Sequence, residues 1–139
     1  MLPLTACYVA LLAILTYLAD TGGMREVLLK IHSVPWGDKA LHFLLVGVLA
    51  LLVNLTIRTH WRPRRWLSLV PGTLLVALVG TAEECSNVLV ATRNWSPADL
   101  AANLLGVVCV GVVPLTVYAR RSALEPMALA TGDSGQARR

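Results

Sequence analysis

The chain has 139 residues, 56% of them hydrophobic and 14% charged, with a formal net charge of +4 and a mean hydropathy of +0.66. That is one domain in size but well short of the roughly 25% charged residues of a water-soluble domain, so the composition excludes an ordinary soluble fold and points to lipid as solvent. Cys7, Cys85 and Cys109 form an odd set without C-x-x-C spacing, each inside an apolar window, which argues against a disulfide framework or a zinc site and reads as small packing residues.

Four apolar windows follow in chain order, Leu2–Ala19, Lys39–Ile57, Trp66–Ala91 and Pro97–Ala119. Each is long enough to cross a hydrocarbon core of about 30 Å at about 1.5 Å per residue. Lipid cannot satisfy backbone N–H and C=O groups, and the windows lack the alternation of barrel strands, so the expected fold class is all-α: a polytopic membrane bundle of four transmembrane helices. The first window lacks a basic flank and a small-residue cleavage pattern ahead of Asp20, so a retained helix is expected. The expected organisation is a four-helix domain over residues 1–121 and a disordered cytoplasmic tail over 122–139, rich in small polar residues.

Arg58, Arg62, Arg64 and Arg65 crowd the second connection, while Arg120, Arg121, Arg138 and Arg139 lie at the C-terminal end. The positive-inside rule puts both regions, and hence both termini, in the cytoplasm. Trp36 and Trp95 near the outer ends, with Trp61 and Trp66 near the inner ones, suit interfacial belts. Membrane lipids, not nucleic acid, are the expected partners of the arginines.

The remaining ionisable residues gather near the outer ends of the last three predicted helices. Asp38, Lys39 and His42 open the second, with Asp38 one turn from His42. A carboxylate there can fix the imidazole tautomer, or Asp38 can be an N-cap and His42 a packing residue. Glu83 and Glu84 lie within the third helix, with Asn87 on the same face. A carboxylate at that depth costs roughly 2.5–3.5 kcal/mol on insertion scales, so at least one must face protein, and Glu84 is the expected inward residue. Arg93 in the third connection can grip an anionic ligand or pair with Glu84 or Asp99. Ser96-Pro97-Ala98-Asp99 has capping-box spacing and proline at the first helical position, so the last helix starts there. Asp99, Asn103 and Gly106 then form a stripe on which Asn103 faces Glu84 or His42, and Gly106 and Gly111 permit a close neighbour.

Asp38-Lys39-x-x-His42-Phe43, then Glu84-x-x-Asn87, Arg93, Asp99, Asn103 and Gly106, resemble the signature of the VanZ-like family, small membrane proteins named for a teicoplanin-resistance protein. The resemblance spans about Trp36 to Gly111, with Asn87 where the family pattern has glutamine. It implies a four-helix protein of the bacterial inner membrane tied to the cell envelope, and, for the founding member, lowered glycopeptide susceptibility.

The expected function is an outer-leaflet pocket that binds, with modification left open, an anionic lipid or wall precursor. His42 would be acid or base, oriented by Glu84 or Asp38; Lys39 and Arg93 would hold the anionic group; Asn87, Asp99 and Asn103 would complete the hydrogen bonds. The alternative is a non-enzymatic interaction protein whose polar cluster is structural. Proton-coupled transport would require an oligomer. No cofactor or metal is expected, since one histidine among carboxylates is a weak metal signature.

Overall fold

The computed structural model describes residues 1–60, 70–89 and 95–118, with His60 described by its backbone alone. Every described element is helical: α1 (Leu2–Asp20), α2 (Arg25–Ser33), α3 (Gly37–His60), α4 (Val70–Ser86) continued by a 3₁₀ turn (Asn87–Leu89), and α5 (Pro97–Tyr118). Three helices are long and apolar enough to cross a membrane, Leu2–Asp20, Gly37–Thr59 and Pro97–Tyr118. The described part of α4 has 17 residues, about 25 Å of helix. The expected Trp66–Ala91 window extends at both ends into residues outside the described ones, as do Trp61, Arg62, Arg64, Arg65 and the expected tail.

Burial is inverted relative to a water-soluble domain. The largest fully buried side chains are Glu84, Asn54 and Asn103, while Leu78 and Val88 are 68% and 69% exposed. A soluble fold hides leucine and exposes glutamate; here the polar groups find partners inside and the outer faces are apolar, as a hydrocarbon solvent requires.

The helices alternate in direction. Thr5 near the start of α1 meets Thr56 near the end of α3, with their hydroxyls 2.7 Å apart, and the Tyr8 hydroxyl donates to the Leu45 carbonyl at 3.0 Å. α4 runs antiparallel to α3: Asn54 Nδ2 donates to Thr73 Oγ1 at 3.2 Å, and one helical stretch further on Gly80 faces Val46. α5 runs parallel to α3, joined by Lys39 to Asp99 at one end and by Arg58 over the Tyr118 ring, 5.9 Å from its centroid, at the other. Met1 and Tyr118 therefore lie at the same end of the bundle, and the N-termini of α3 and α5 at the opposite end.

Helices α3 and α5 approach closely because small residues line their contact. A Cβ on Gly47 would stand 2.8 Å from the Gly106 carbonyl oxygen, and one on Gly106 would strike the Phe43 backbone. Further along, Gly111 packs on Ala50. The expected close approach at Gly106 and Gly111 is thus made, although residues five apart do not share a face in a regular α-helix. A π-helical turn over Val107–Val112 brings them together, with the Val113 N–H donating to the Val108 carbonyl. Pro114 supplies a physical reason for it: proline has no N–H for the Val110 carbonyl and its ring crowds that position in a regular helix.

Between α1 and α3 the chain makes a second, short helix that hydropathy alone passes over. The left-handed Gly22 (φ 77°) turns the chain out of α1, and a left-handed Trp36 (φ 65°) turns it from α2 into α3. α2 carries Leu28 and Ile31 on one face and Arg25 and Lys30 elsewhere, an amphipathic pattern suited to lying along a boundary rather than crossing it.

Candidate functional site

The polar residues meet at the end of the bundle where α3 and α5 begin. Ser96 caps α5, its hydroxyl accepting the Asp99 N–H at 3.4 Å, with Pro97 in the first turn. In a full capping box the Asp99 side chain would return to the Ser96 N–H. Here that N–H donates instead to Glu84 Oε1 of α4 at 3.0 Å. Glu84 Oε2 accepts from Asn87 Nδ2 at 3.2 Å, so both carboxylate oxygens are used. Glu84 is 1% exposed and Asn87 3%, and Glu83 is only half-buried. The inward glutamate thus ties the end of α4 to the start of α5.

Relieved of its capping role, the Asp99 carboxylate accepts from Lys39 Nζ at 3.0 Å, and Asp38 Oδ2 accepts from the same ammonium at 2.7 Å. This changes two expectations. Asp38 lies in the first turn of α3 and turns to its neighbour Lys39 rather than to His42, because a flexible ammonium one residue away reaches it with a charge-assisted bond. Lys39, expected to hold an anionic ligand, has two of its three N–H groups committed to carboxylates within the protein.

His42 is oriented by an amide instead of a carboxylate. Its Nδ1 lies 3.2 Å from Asn103 Oδ1, and an amide oxygen only accepts, so Nδ1 is the donor of this bond. Of the two partners open to Asn103, the structure selects His42. The Asn103 Nδ2 group is buried without a partner, about one residue's width from Gly80 on α4.

His42 borders a cavity of about 760 Å³ between α1, α3 and α4, with α2 across its polar end. The size falls in the range of about 300–1,000 Å³ typical of small-molecule sites. It exists because α1 packs on α3 and leaves a groove against α4. Leu12, Leu45, Leu49, Val76 and Val79 supply apolar walls; His32, Asp38, Lys39, His42, Glu84 and Asp99 gather at one end. The groove is therefore amphipathic along its length, apolar toward the middle of the bundle and polar toward the α3 and α5 N-termini.

Of the expected site residues, the structure brings together Asp38, Lys39, His42, Glu84, Asn87, Asp99 and Asn103; Arg93 lies outside the described residues. Among the described residues no three or more His, Cys, Asp or Glu side chains gather as a metal site would require. Two residues were not singled out by sequence. His32 sits on α2 at the polar end of the cavity, and only recognition of the i, i+3, i+4 apolar spacing of that helix could have placed it there. Asn54, 0% exposed, donates to Thr73 and to the Gly111 carbonyl beside the π turn; its sole signal was an amide in a long apolar run.

No protein-family model matches the chain, and neither does any curated protein or solved structure.

Proposed function

We propose that the chain is a four-crossing protein of a bacterial inner membrane, with both termini cytoplasmic, whose groove binds an amphiphilic component of the cell envelope. The observation that carries this reading is the cavity of about 760 Å³, apolar along its walls and polar at one end. An acyl or isoprenoid tail fits the first part and a head group the second, an arrangement that a soluble ligand would not need. Arg58 stands at the bundle end shared by Met1 and Tyr118, and counting it as cytoplasmic puts the polar cluster at the outer leaflet. The VanZ-like pattern of residues 36–111 is in keeping with such a site, and lowered glycopeptide susceptibility is its expected phenotype.

The roles divide by partner. Glu84, Asn87 and Ser96 hold α4 to α5, and Lys39 with Asp38 and Asp99 holds α3 to α5; these residues build the site. His42 meets the ligand, with Nε2 as hydrogen-bond acceptor or base and Asn103 as the positioning residue. A purely structural reading of the cluster is favoured by one observation, the full use of both Glu84 oxygens.

The deciding experiment compares wild type, Val79→Trp and His42→Ala for lipid retained on the purified protein and for glycopeptide susceptibility of expressing cells, with membrane abundance as control. Tryptophan at Val79 fills the apolar groove and should remove bound lipid and any phenotype while the protein remains abundant. Unchanged lipid retention in Val79→Trp would refute the groove as the site. Loss of phenotype only in step with loss of abundance would favour the structural reading.

A further inference from the structure

Resting on the reading of the groove as an amphiphile site in the outer leaflet, we infer that its occupant enters sideways from the bilayer, through a slit between α1 and α4, and not from water past α2. The wall and the rim of the groove differ in exposure. Val76, on the wall, is 3% exposed, whereas Val9 of α1 and Val79 of α4 border the same cavity and are 48% and 54% exposed. Side chains that line a cavity and also stand half-open on the outside of the bundle mark where the cavity reaches that surface.

The level of this opening follows from the contacts that register the helices. Thr5 of α1 meets Leu52 and Thr56 of α3, and Tyr8 meets Leu45. On α4, Thr73 accepts from Asn54, and Gly80 faces Val46. Counting about 1.5 Å per residue from those anchors puts Ala13 of α1 and Val79 of α4 at about the same depth, both bordering the groove. Val79 lies five residues inward of Glu84, about 8 Å of helix. In the outer-leaflet reading the slit faces acyl chains, so a tail already in the bilayer reaches it without leaving an apolar medium, whereas a route from water exposes the whole tail.

The helices around the groove are also anchored at different ends. α2 turns Met24, Leu28 and Ile31 into the cavity and is packed onto the start of α3: the Gly37 N–H donates to the Val34 carbonyl at 3.0 Å, and a Cβ on Gly37 would strike the Ile31 carbonyl. The bonds of Thr5 and Tyr8 to α3 lie in the first two turns of α1, at the end away from the polar cluster. The stretch of α1 that borders the groove, Val9 to Ala19, comes after them. It leads into the left-handed Gly22, where a Cβ would meet nothing within 4 Å. The outer part of α1 is thus the element that moves to admit a tail, with α4 as the fixed side and α2 as a roof that stays in place.

The test uses the full chain with Cys7, Cys85 and Cys109 replaced by alanine, in vesicles of phosphatidylethanolamine and phosphatidylglycerol. One variant carries Ala13→Cys with Val79→Cys across the slit; another carries Leu28→Cys with Leu41→Cys between α2 and α3. Each pair is bridged by bis-methanethiosulfonate reagents of increasing span, which dithiothreitol releases. Cyclodextrin then exchanges the outer-leaflet lipid for the same lipids in deuterated form, and native mass spectrometry follows uptake of deuterated lipid onto the protein. The α1–α4 bridge should slow uptake about tenfold, reversibly on reduction, while the α2–α3 bridge changes it by less than about twofold. Slowing by the α2–α3 bridge, alone or together with the other, overturns the side entry, since the roof must then move. Unchanged uptake under both bridges overturns it too while leaving the groove as an amphiphile site, and so does failure of every reagent to span positions 13 and 79. Retention of no lipid by the unbridged protein overturns the amphiphile reading itself.

Discussion

Glycine is replaced by alanine at two places in the bundle with opposite expected outcomes, and the difference can be worked from the space around each. In a helix interior the exchange carries a propensity gain of about 1 kcal/mol. At Gly80 the added methyl would stand 3.6 Å from a Val46 methyl and 4.0 Å from Asn103 Nδ2, ordinary contact distances, so Gly80→Ala should stabilise by about 0.5–1 kcal/mol. At Gly106 the same methyl would stand 2.9 Å from the Phe43 carbonyl carbon and 3.1 Å from its Cα. These are backbone atoms and cannot rotate aside, so α3 and α5 must separate. Overpacking of this kind costs about 1–3 kcal/mol; taking the upper end for backbone against backbone and subtracting the propensity gain leaves Gly106→Ala destabilised by about 2 kcal/mol. Unfolding followed by circular dichroism as dodecyl sulfate is titrated into mixed micelles measures both variants on one scale. Equal stabilities for Gly80→Ala and Gly106→Ala would refute the close α3–α5 contact, since the two substitutions differ only in what their methyl meets.

Three further outcomes follow from the polar cluster, each read by the same titration. Lys39→Met should lower stability, because it leaves Asp38 and Asp99 facing each other at a partly exposed site, and Asp99→Asn in the Lys39→Met background should restore part of the loss; additive losses would argue against the shared ion pair. Glu84→Gln turns one acceptor into a donor opposite either the Ser96 N–H or Asn87 Nδ2, and a loss of about 1–3 kcal/mol is expected; a neutral result would mean those bonds hold little. Ser96→Ala should cost about 1 kcal/mol by removing the cap of α5, and amide hydrogen exchange should quicken at Asp99 without quickening in α1, whose contacts lie elsewhere.

What could be read in advance divides by range. The start of α5 was legible because Ser96, Pro97 and Asp99 act within four residues, and adjacent residues on a helix cannot both face the bundle, so one of Glu83 and Glu84 had to turn inward, although that geometry does not say which. The glycines at 106 and 111 announced a close neighbour, but not that a π turn would be needed to bring both onto it. The Lys39–Asp99 pair joins residues 60 positions apart, and no local rule selects it over Asp38 with His42. The partition of the capping box was equally hidden: Asp99 is free for Lys39 only because Glu84, from another helix, takes the Ser96 N–H. α2 escaped notice since its nine residues mix charge and leucine, below any hydropathy threshold, and with it went His32.

The π turn at Val107–Val112 also makes α5 two helices in one. Above it, Asp99, Asn103 and Gly106 are phased to α3 and the polar site; within it Gly111 meets Ala50, and below it Tyr118 is phased to Arg58. A π turn holds one residue more than the helix around it, so the extra residue is absorbed within the turn, and its removal would close a regular α-helix with the residues beyond in nearly the same phase. The turn is in this sense a place where α5 can gain or lose a residue while both of its halves keep their faces toward α3.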